Sequence, residues 1–387
     1  MKRIAILEYV GCQDYLDPLT NAIGDISNET AKKELLREGD AMLLAVAKEW
    51  IYQHEAEVHC CRHQSLGMPS KSFTSNSDQA ILDCVQWHSI RSDQVYLDEW
   101  LRVARVCDQA MVVAPEIDGI LLDTTRFLRA HGIKLVNAND QFITTASDKW
   151  LTAECWHEQS IRQPMTLLLC NALLQNTDCA KQSPEQSHPT MVRPERMALA
   201  TGLDFATVCP IAPEASAYGS GNTISSPSQS QPWVIKPRDG AGGIGVRRFC
   251  QFSELLAWTK KFGCESDNLL LQPWIPGRPA SIALVFQDDG LVTCMPARDQ
   301  ILEESSASFG DIRWAELGYL GSGERWLEEH QEVAERFARS AIAAIPGEPR
   351  GWIGLDFLCD GSPMELKSYI AIEVNPRLTS SYCFREL

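Results

Sequence analysis

Gly351-Trp352-Ile353-Gly354-Leu355-Asp356-Phe357-Leu358 is followed by Asp360-Gly361-Ser362-Pro363, and then by Ser368-Tyr369-Ile370-Ala371-Ile372-Glu373-Val374-Asn375-Pro376-Arg377. The outer runs read as strands and the middle as a turn, which predicts a β-hairpin. Side chains alternate faces along a strand. Ile353, Leu355, Phe357, Ile370, Ile372 and Val374 are therefore expected on a core face. Gly354, Asp356, Ala371, Glu373 and Asn375 are expected on the other. If Asp356 pairs with Glu373, two carboxylates and an amide oxygen converge between residues without bulk. Like charges so placed destabilise a hairpin unless a cation lies between them. An all-oxygen set suits Mg2+ or Mn2+, and such ions neutralise nucleotide phosphates. The plainer alternative is a pair of solvated acids on an exposed sheet. Gly354 and Ala371 argue against it, because a wet face ordinarily carries Lys, Thr or Ser.

A second stretch points to phosphate. Trp233-Val234-Ile235-Lys236-Pro237-Arg238-Asp239-Gly240-Ala241-Gly242-Gly243-Ile244-Gly245-Val246 delivers a lysine at the end of a strand, then four glycines within six residues. Without side-chain bulk, backbone N–H groups can close on phosphate oxygens, and Lys236 adds a point charge. Gly240, Gly242 and Gly245 match G-x-G-x-x-G, with Glu265 at a distance suited to a ribose contact. A dinucleotide fingerprint should open a helix, whereas Val246-Arg247-Arg248-Phe249 continues as a strand. No Gly-Lys-Ser/Thr follows, so this is not a Walker A loop. The expected element is a glycine flap between antiparallel strands; a plain glycine-rich hairpin is the alternative.

The rest of the chain supplies the frame. Its 387 residues, 44% hydrophobic, call for two or three domains. The net charge of -16 argues against a basic nucleic-acid-binding face. The 14 cysteines, from Cys12 to Cys383, contain no C-x-x-C pair. With no secretory start, they read as reduced thiols of an intracellular, cytoplasmic protein. No window is apolar for long enough to span a membrane. Residues 3–9, 57–61 and 109–114 read as strands, 29–55 and 98–108 as helices, in β-α-β order. That order predicts a doubly wound parallel unit. A helix over 116–131, stopped by Gly132, precedes a strand over 133–136. Ser147 is expected to cap the next helix. Strands resume from Trp233, with helices over 252–262 and 324–344. His59-Cys60-Cys61-Arg62-His63 has no partner cluster and reads as core or loop. Glu8 and Tyr9 end the first strand, where α/β sheets place ligands. No role is legible for Trp87, His88 or Trp314.

Three motifs in this order, Ser147-Asp148-Lys149-Trp150, the loop from Lys236 to Gly245, and Asp356…Glu373-x-Asn375-Pro376-Arg377, resemble the ATP-grasp superfamily over nearly the whole chain. The resemblance implies an α/β and α+β ATP-grasp fold. It would comprise a doubly wound pre-ATP-grasp domain over 1–115, a helical connection over 116–160, a central lid over 161–275 with an insertion at 170–232, and a C-terminal nucleotide and metal domain over 276–387. It implies that Lys149, Lys236, Gly240, Gly242 and Gly243 hold ATP phosphates. The backbone of Gln272, Trp274 and Ile275 would read adenine. Pro273 stands where many members carry an acid, so no side-chain contact is implied there. Asp356, Glu373 and Asn375 match the ligands of a pair of Mg2+ or Mn2+ ions. Arg298 and Arg377 would orient the transferring phosphoryl or the acyl phosphate.

The opening Ile6-Leu7-Glu8-Tyr9-Val10 and the run Ala114-Pro115-Glu116-Ile117-Asp118-Gly119-Ile120-Leu121 resemble a narrower group, which includes the tyramine–L-glutamate ligase of methanofuran biosynthesis. The activity implied is ATP-dependent joining of an amino-acid carboxylate to an amine, with small molecules as partners, neither nucleic acid nor membrane, and room for a homodimer. A small-molecule kinase and a non-catalytic ATP-binding regulator on the same fold are the alternatives.

Overall fold

The computed structural model describes residues 1–13, 29–69, 76–169, 231–240, 242–262 and 268–379. Nearly all of the expected insertion at 170–232, together with Ala241, Glu265 and Cys383, lies outside them. The first sheet has four parallel strands, β1 (Arg3–Glu8), β2 (Glu57–His63), β3 (Gln86–Ile90) and β4 (Gln109–Val113), in the order β3-β2-β1-β4. The unbroken apolar run Ile4 to Leu7 is buried on both faces, as a central parallel strand requires. Ile4 and Ile6 meet Met42, Leu43 and Val46 of α1 (Glu29–Gln53) and Ile81 of α2 (Asn76–Cys84). Ala5 and Leu7 meet Trp100 of α3 (Tyr96–Ala104) and Leu121 and Leu128 of α4 (Ile120–Ala130). The unit is therefore doubly wound. Strand order reverses between β1 and β4, and their C-terminal ends present Glu8, Tyr9 and the segment 114–116 to a switch-point crevice.

Several local expectations change. Strand β3 was not legible because it is an edge strand with a mixed, half-exposed pattern. Residues 133–136 make one bridge, Ala110 to Leu135, rather than a full strand. Residues 116–131 do not form one helix: a 3-10 turn, Ile117–Gly119, precedes α4, with Asp118 at φ 52° and Gly119 at φ 71°.

Glu8 is a buried acid at the end of β1. It accepts the N–H groups of Val10 (2.8 Å) and Gly11 (2.6 Å). A Cβ at position 39 would lie 2.7 Å from its Oε1, so Gly39 is what lets α1 pass. Beside it Arg62 bonds both oxygens of Asp40, at 2.5 and 3.1 Å. Burial raises the Glu8 carboxyl from 4.5 to about 7, against the pull of the two N–H groups. The folded state thus holds this proton more tightly than the unfolded chain. Stability is lost as pH rises from about 4.5 to about 7, by roughly 3 kcal/mol for such a shift. Urea unfolding at pH 5 and pH 8 should show this loss in the wild type and a shallower one in Glu8→Gln. Equal slopes would exclude Glu8 as the source.

The second sheet has ten strands, antiparallel at every pairing. They are β5 (Leu167–Leu169), β6 (Trp233–Pro237), β7 (Arg247–Phe249), β8 (Leu269–Pro273), β9 (Arg278–Phe286), β10 (Val292–Cys294), β11 (Arg298–Phe309), β12 (Ile312–Arg325), β13 (Gly351–Cys359) and β14 (Tyr369–Asn375). The order is β14-β13-β9-β11-β12-β7-β6-β8-β5, with β10 on β9. Helices α5 (Asp140–Ala146) and α6 (Lys149–Glu158) join the two units. Helix α7 (Phe252–Phe262) covers β6 and β7 through Leu255 and Trp258. Helix α8 (Glu328–Ala343) lays Val333, Phe337 and Ala341 on the core that holds Ile353, Phe357 and Tyr369. It starts at Glu328, not 324, because 324–325 still belong to β12. Strands β10 and β11 are separated at 295–297, where Ala297 N–H turns to the Gln331 side chain at 2.8 Å.

Candidate nucleotide and metal site

In the β13–β14 hairpin, Asp356 stands directly opposite Glu373, and Gly354 opposite Asn375. The expected convergence is present on that side, and Asn375 Nδ2 donates to Asp356 Oδ2 at 3.2 Å. The faces expected for the rest of β14 are not all kept. The register shifts between Asp356 and Phe357, so Phe357 pairs with Ala371 and Ile372 bulges out. Ala371 therefore joins the core with Phe357 and Tyr369, while Ile372 is only half-buried and Ile370 leaves that cluster. The bulge has a use: the Ile372 carbonyl accepts from Lys236 Nζ at 3.4 Å. No side-chain pattern could announce that contact.

Lys149 arrives from a different element. Its Nζ lies 3.2 Å from Glu373 Oε1 and donates to the Gly240 carbonyl at 2.9 Å. The N-cap of α6 is Asp148, not Ser147: Asp148 Oδ1 accepts from Trp150 N at 2.9 Å and Leu151 N at 3.2 Å. The Ser147 hydroxyl is buried without a partner among the described residues. Asp148 also grips Arg238 as a fork, Nε to Oδ1 at 2.9 Å and Nη2 to Oδ2 at 2.6 Å, and Lys149 N–H donates to the Arg238 carbonyl at 3.0 Å. One acid thus ties the helix that carries Lys149 to the strand that enters the glycine loop. Asp148→Ala should lose cap and fork together, lowering stability by about 1–3 kcal/mol. Asp148→Asn should keep most of the cap. Equal unfolding free energies for the two variants would contradict the double role.

The glycine loop is a β6–β7 hairpin turn, with no helix following. Gly242, Gly243 and Gly245 have φ of 66°, 78° and 77°, which only glycine adopts without strain. It is pinned rather than free: Tyr319 N–H donates to the Gly242 carbonyl at 3.3 Å, and a Cβ on Gly243 would sit 3.0 Å from the Leu317 carbonyl oxygen.

Across the sheet, Asp356 and Arg298 both face Ser281 of β9, one from each side. Cross-strand partners share a face, so Glu373, Asp356, Ser281 and Arg298 form one row. Arg298 is half-buried and donates to the Gly323 carbonyl at 3.3 Å. Arg377 lies outside this row, with its Nε 2.5 Å from Glu116 Oε2. Lys236 stands opposite Leu270, two residues from Gln272, on the same face of β6 and β8. The Gln272 side chain is buried against the Thr166 hydroxyl at 2.8 Å. Trp274 N–H donates to the Pro232 carbonyl at 2.8 Å, so this one group of the expected backbone set is already engaged. Pro273 has no N–H, which leaves that of half-buried Ile275. Sequence reading passed over three participants: Arg238, Ser281 and Glu116. Of these Arg238 and Glu116 stood in quoted runs, with no role assigned.

Burial and the neighbouring Glu373 hold the Asp356 carboxyl well above the usual carboxylate range. Burial lowers the Lys236 ammonium to about 8, with Glu373 opposing and Lys149 assisting. Two facing carboxylates, one strained by the other, and an adjacent amide are a donor set that a hard divalent cation relieves. Among the described residues no group of three or more His, Cys, Asp or Glu side chains forms a complete metal cage. A Mg2+ held here would draw its remaining ligands from phosphate and water, as Mg2+ usually does. The arrangement can therefore bring a triphosphate, two lysines and a cation together. Among the described residues no helix is long and apolar enough to cross a membrane.

The family profile of the ATP-grasp domain matches residues 206–381, and that of the pre ATP-grasp 3 domain matches residues 64–143. No curated protein matches the chain. Solved structures share its fold. A protein from Archaeoglobus fulgidus assigned to the ATP-grasp superfamily aligns with a TM-score of 0.55 at 15% identity, over 98% of this chain and 82% of that one. N5-carboxyaminoimidazole synthetase from Staphylococcus aureus, complexed with ADP, aligns at 0.53 and 11% identity, over 98% and 71%. D-alanine–D-alanine ligase from Bacillus anthracis aligns at 0.50 and 10% identity, over 97% and 87%. The chain thus has the ATP-grasp fold behind a pre-ATP-grasp N-terminal domain, with the ATP-grasp match confined to residues 206–381.

Proposed function

We propose that the protein is an ATP-dependent ligase that joins a carboxylate to an amine through an acyl phosphate. The observation that carries this reading is the convergence of Lys149 and Lys236, from two separate elements, on the Asp356–Glu373 pair. Structures of the same fold include an ADP complex and a D-alanine–D-alanine ligase, which supports the class of chemistry. Lys149, Lys236 and the N–H groups of Gly240, Gly242 and Gly243 bind the phosphates. Gln272, Trp274 and Ile275 border the adenine, with Ile275 N–H as donor. Asp356, Glu373 and Asn375 would hold one or two Mg2+ ions, which supply neutralisation of phosphate charge.

A substrate carboxylate oxygen attacks the γ-phosphorus, and the bond to the β-phosphate oxygen breaks, releasing ADP. The amine then attacks the acyl carbon; phosphate leaves and the amine gives up a proton. Arg298 and Arg377 orient the anionic groups, and the pinned glycine loop keeps water from the acyl phosphate. In this reading 1–115 forms the N-terminal domain, 116–160 the connection, 161–275 the lid and 276–387 the nucleotide and metal domain. The resemblance to tyramine–glutamate ligases makes glutamate and an aromatic amine, in cofactor biosynthesis, the first pair to try. The test incubates protein, ATP and Mg2+ with pooled amino acids and pooled amines. Phosphate release that needs both pools, with an amide in the products, supports the ligase. A stable phosphorylated product supports a kinase instead, and nucleotide binding without turnover supports a regulator.

A further inference from the structure

Glu116 opens the connection that follows the N-terminal domain, within the pre ATP-grasp match of 64–143 and two residues beyond Ala114 at the switch point of the parallel sheet. It reaches Arg377, 261 residues away in sequence and two residues past Asn375. The pair is almost dry: the side chains are 4% and 12% exposed. The contact is single rather than forked. Nε of Arg377 meets Oε2 of Glu116 at 2.5 Å, and Nη1 donates to its neighbour's carbonyl, Leu378 O, at 3.0 Å. Oε1 of Glu116 is buried with no donor, and Nη2 of Arg377 has no acceptor among the described residues. A buried guanidinium with two arms fixed cannot swing without leaving both charges unpaired, a large cost. Its free arm is therefore held in place. Arg377 also lies within electrostatic reach of Glu38, Glu373 and Asp356, the last two being acids of the candidate metal site.

We propose that Glu116 is a positioning residue: it fixes Arg377 so that one guanidinium arm faces the phosphate released from the acyl phosphate. This deepens the ligase reading and rests on it for the source of that phosphate, but its test needs no turnover. It also gives the pre-ATP-grasp unit a part in the site, through one ion pair across the switch point.

The test measures orthophosphate binding by calorimetry on protein saturated with Mg2+ and ADP, for wild type, Arg377→Ala, Glu116→Gln and the double variant. By bulk electrostatics alone, removing the negative Glu116 should tighten binding of an anion. Positioning reverses the sign: Glu116→Gln should weaken phosphate about tenfold, the weight of one charge-assisted hydrogen bond. Arg377→Ala should do the same, and the double variant should be no weaker than Arg377→Ala, because both act through one group. The ADP affinity should not change in any of them. Wild type that binds no phosphate, a Glu116→Gln that binds it equally or more tightly, or losses that multiply would each overturn the proposal. If Glu116→Gln fails to fold, Glu116→Asp, which keeps the charge but withdraws the oxygen, must show the same weakening. A protein that makes no amide but shows this pattern would refute the ligase reading and leave the positioning role standing.

Discussion

Replacing Glu373 with alanine is expected to lower Mg2+-dependent ADP formation by at least about a hundredfold, since even residues that merely support a metal ligand cost ten- to a hundredfold when removed. Glu373 is the hub of the site. It faces Asp356 across the hairpin and meets Lys149 at 3.2 Å. Its removal takes away one candidate metal ligand and the anchor of one phosphate-binding lysine together. It also relieves Asp356, whose carboxyl stands high because of burial and Glu373. Folding should therefore suffer far less than turnover. Glu373→Gln, which keeps the shape, should be almost as inactive, because Mg2+ needs the charge. Normal turnover by either variant with the pooled substrates would sink both the metal assignment and the ligase reading.

The second large effect belongs to Lys236. Its ammonium is buried at 5% exposure and held by a single carbonyl at 3.4 Å, a poor partner for a charge. Burial brings it down to about 8. Lys236→Met keeps the stem and removes the charge. Nucleotide affinity should fall about ten- to a hundredfold at pH 7, the range for a hydrogen bond to a charged group. An arriving phosphate stabilises the ammonium and raises it again, so nucleotide binding should take up a proton above pH 8 in the wild type. Calorimetry in two buffers of different ionisation enthalpy reads that uptake directly. Its presence at full size in Lys236→Met would assign the proton elsewhere.

Much of this site was legible because its residues break the rules of an ordinary sheet. Acids beside Gly354 and Ala371, and four glycines after a strand lysine, have few structural excuses. The Asp356–Glu373 pairing followed from period-two alternation and a turn signal, both local properties of the chain. Local reading failed where the backbone departs from its period. One bulged residue, Ile372, reversed the faces of Ile370 and Ala371 and aimed a carbonyl at Lys236. The cap failed for a related reason. Ser147 and Asp148 are both good N-caps, and the choice fell to Asp148, which also binds Arg238, 90 residues later in sequence.

By itself, the sequence determined the ATP-grasp fold, the doubly wound first unit and the hairpin with its facing acids. Each is encoded in hydrophobic period, turn residues and motif order, which act over neighbours along the chain. The tertiary structure alone decided which cations meet those acids. Lys149 lies on α6, Lys236 on β6, Arg298 on β11 and Arg377 just past β14, and only packing sets a distance between them. It also decided that Arg377 is gripped by Glu116 from the other unit. Residues 261 apart carry no mutual signal in one sequence; their contact exists because the two sheets share a core.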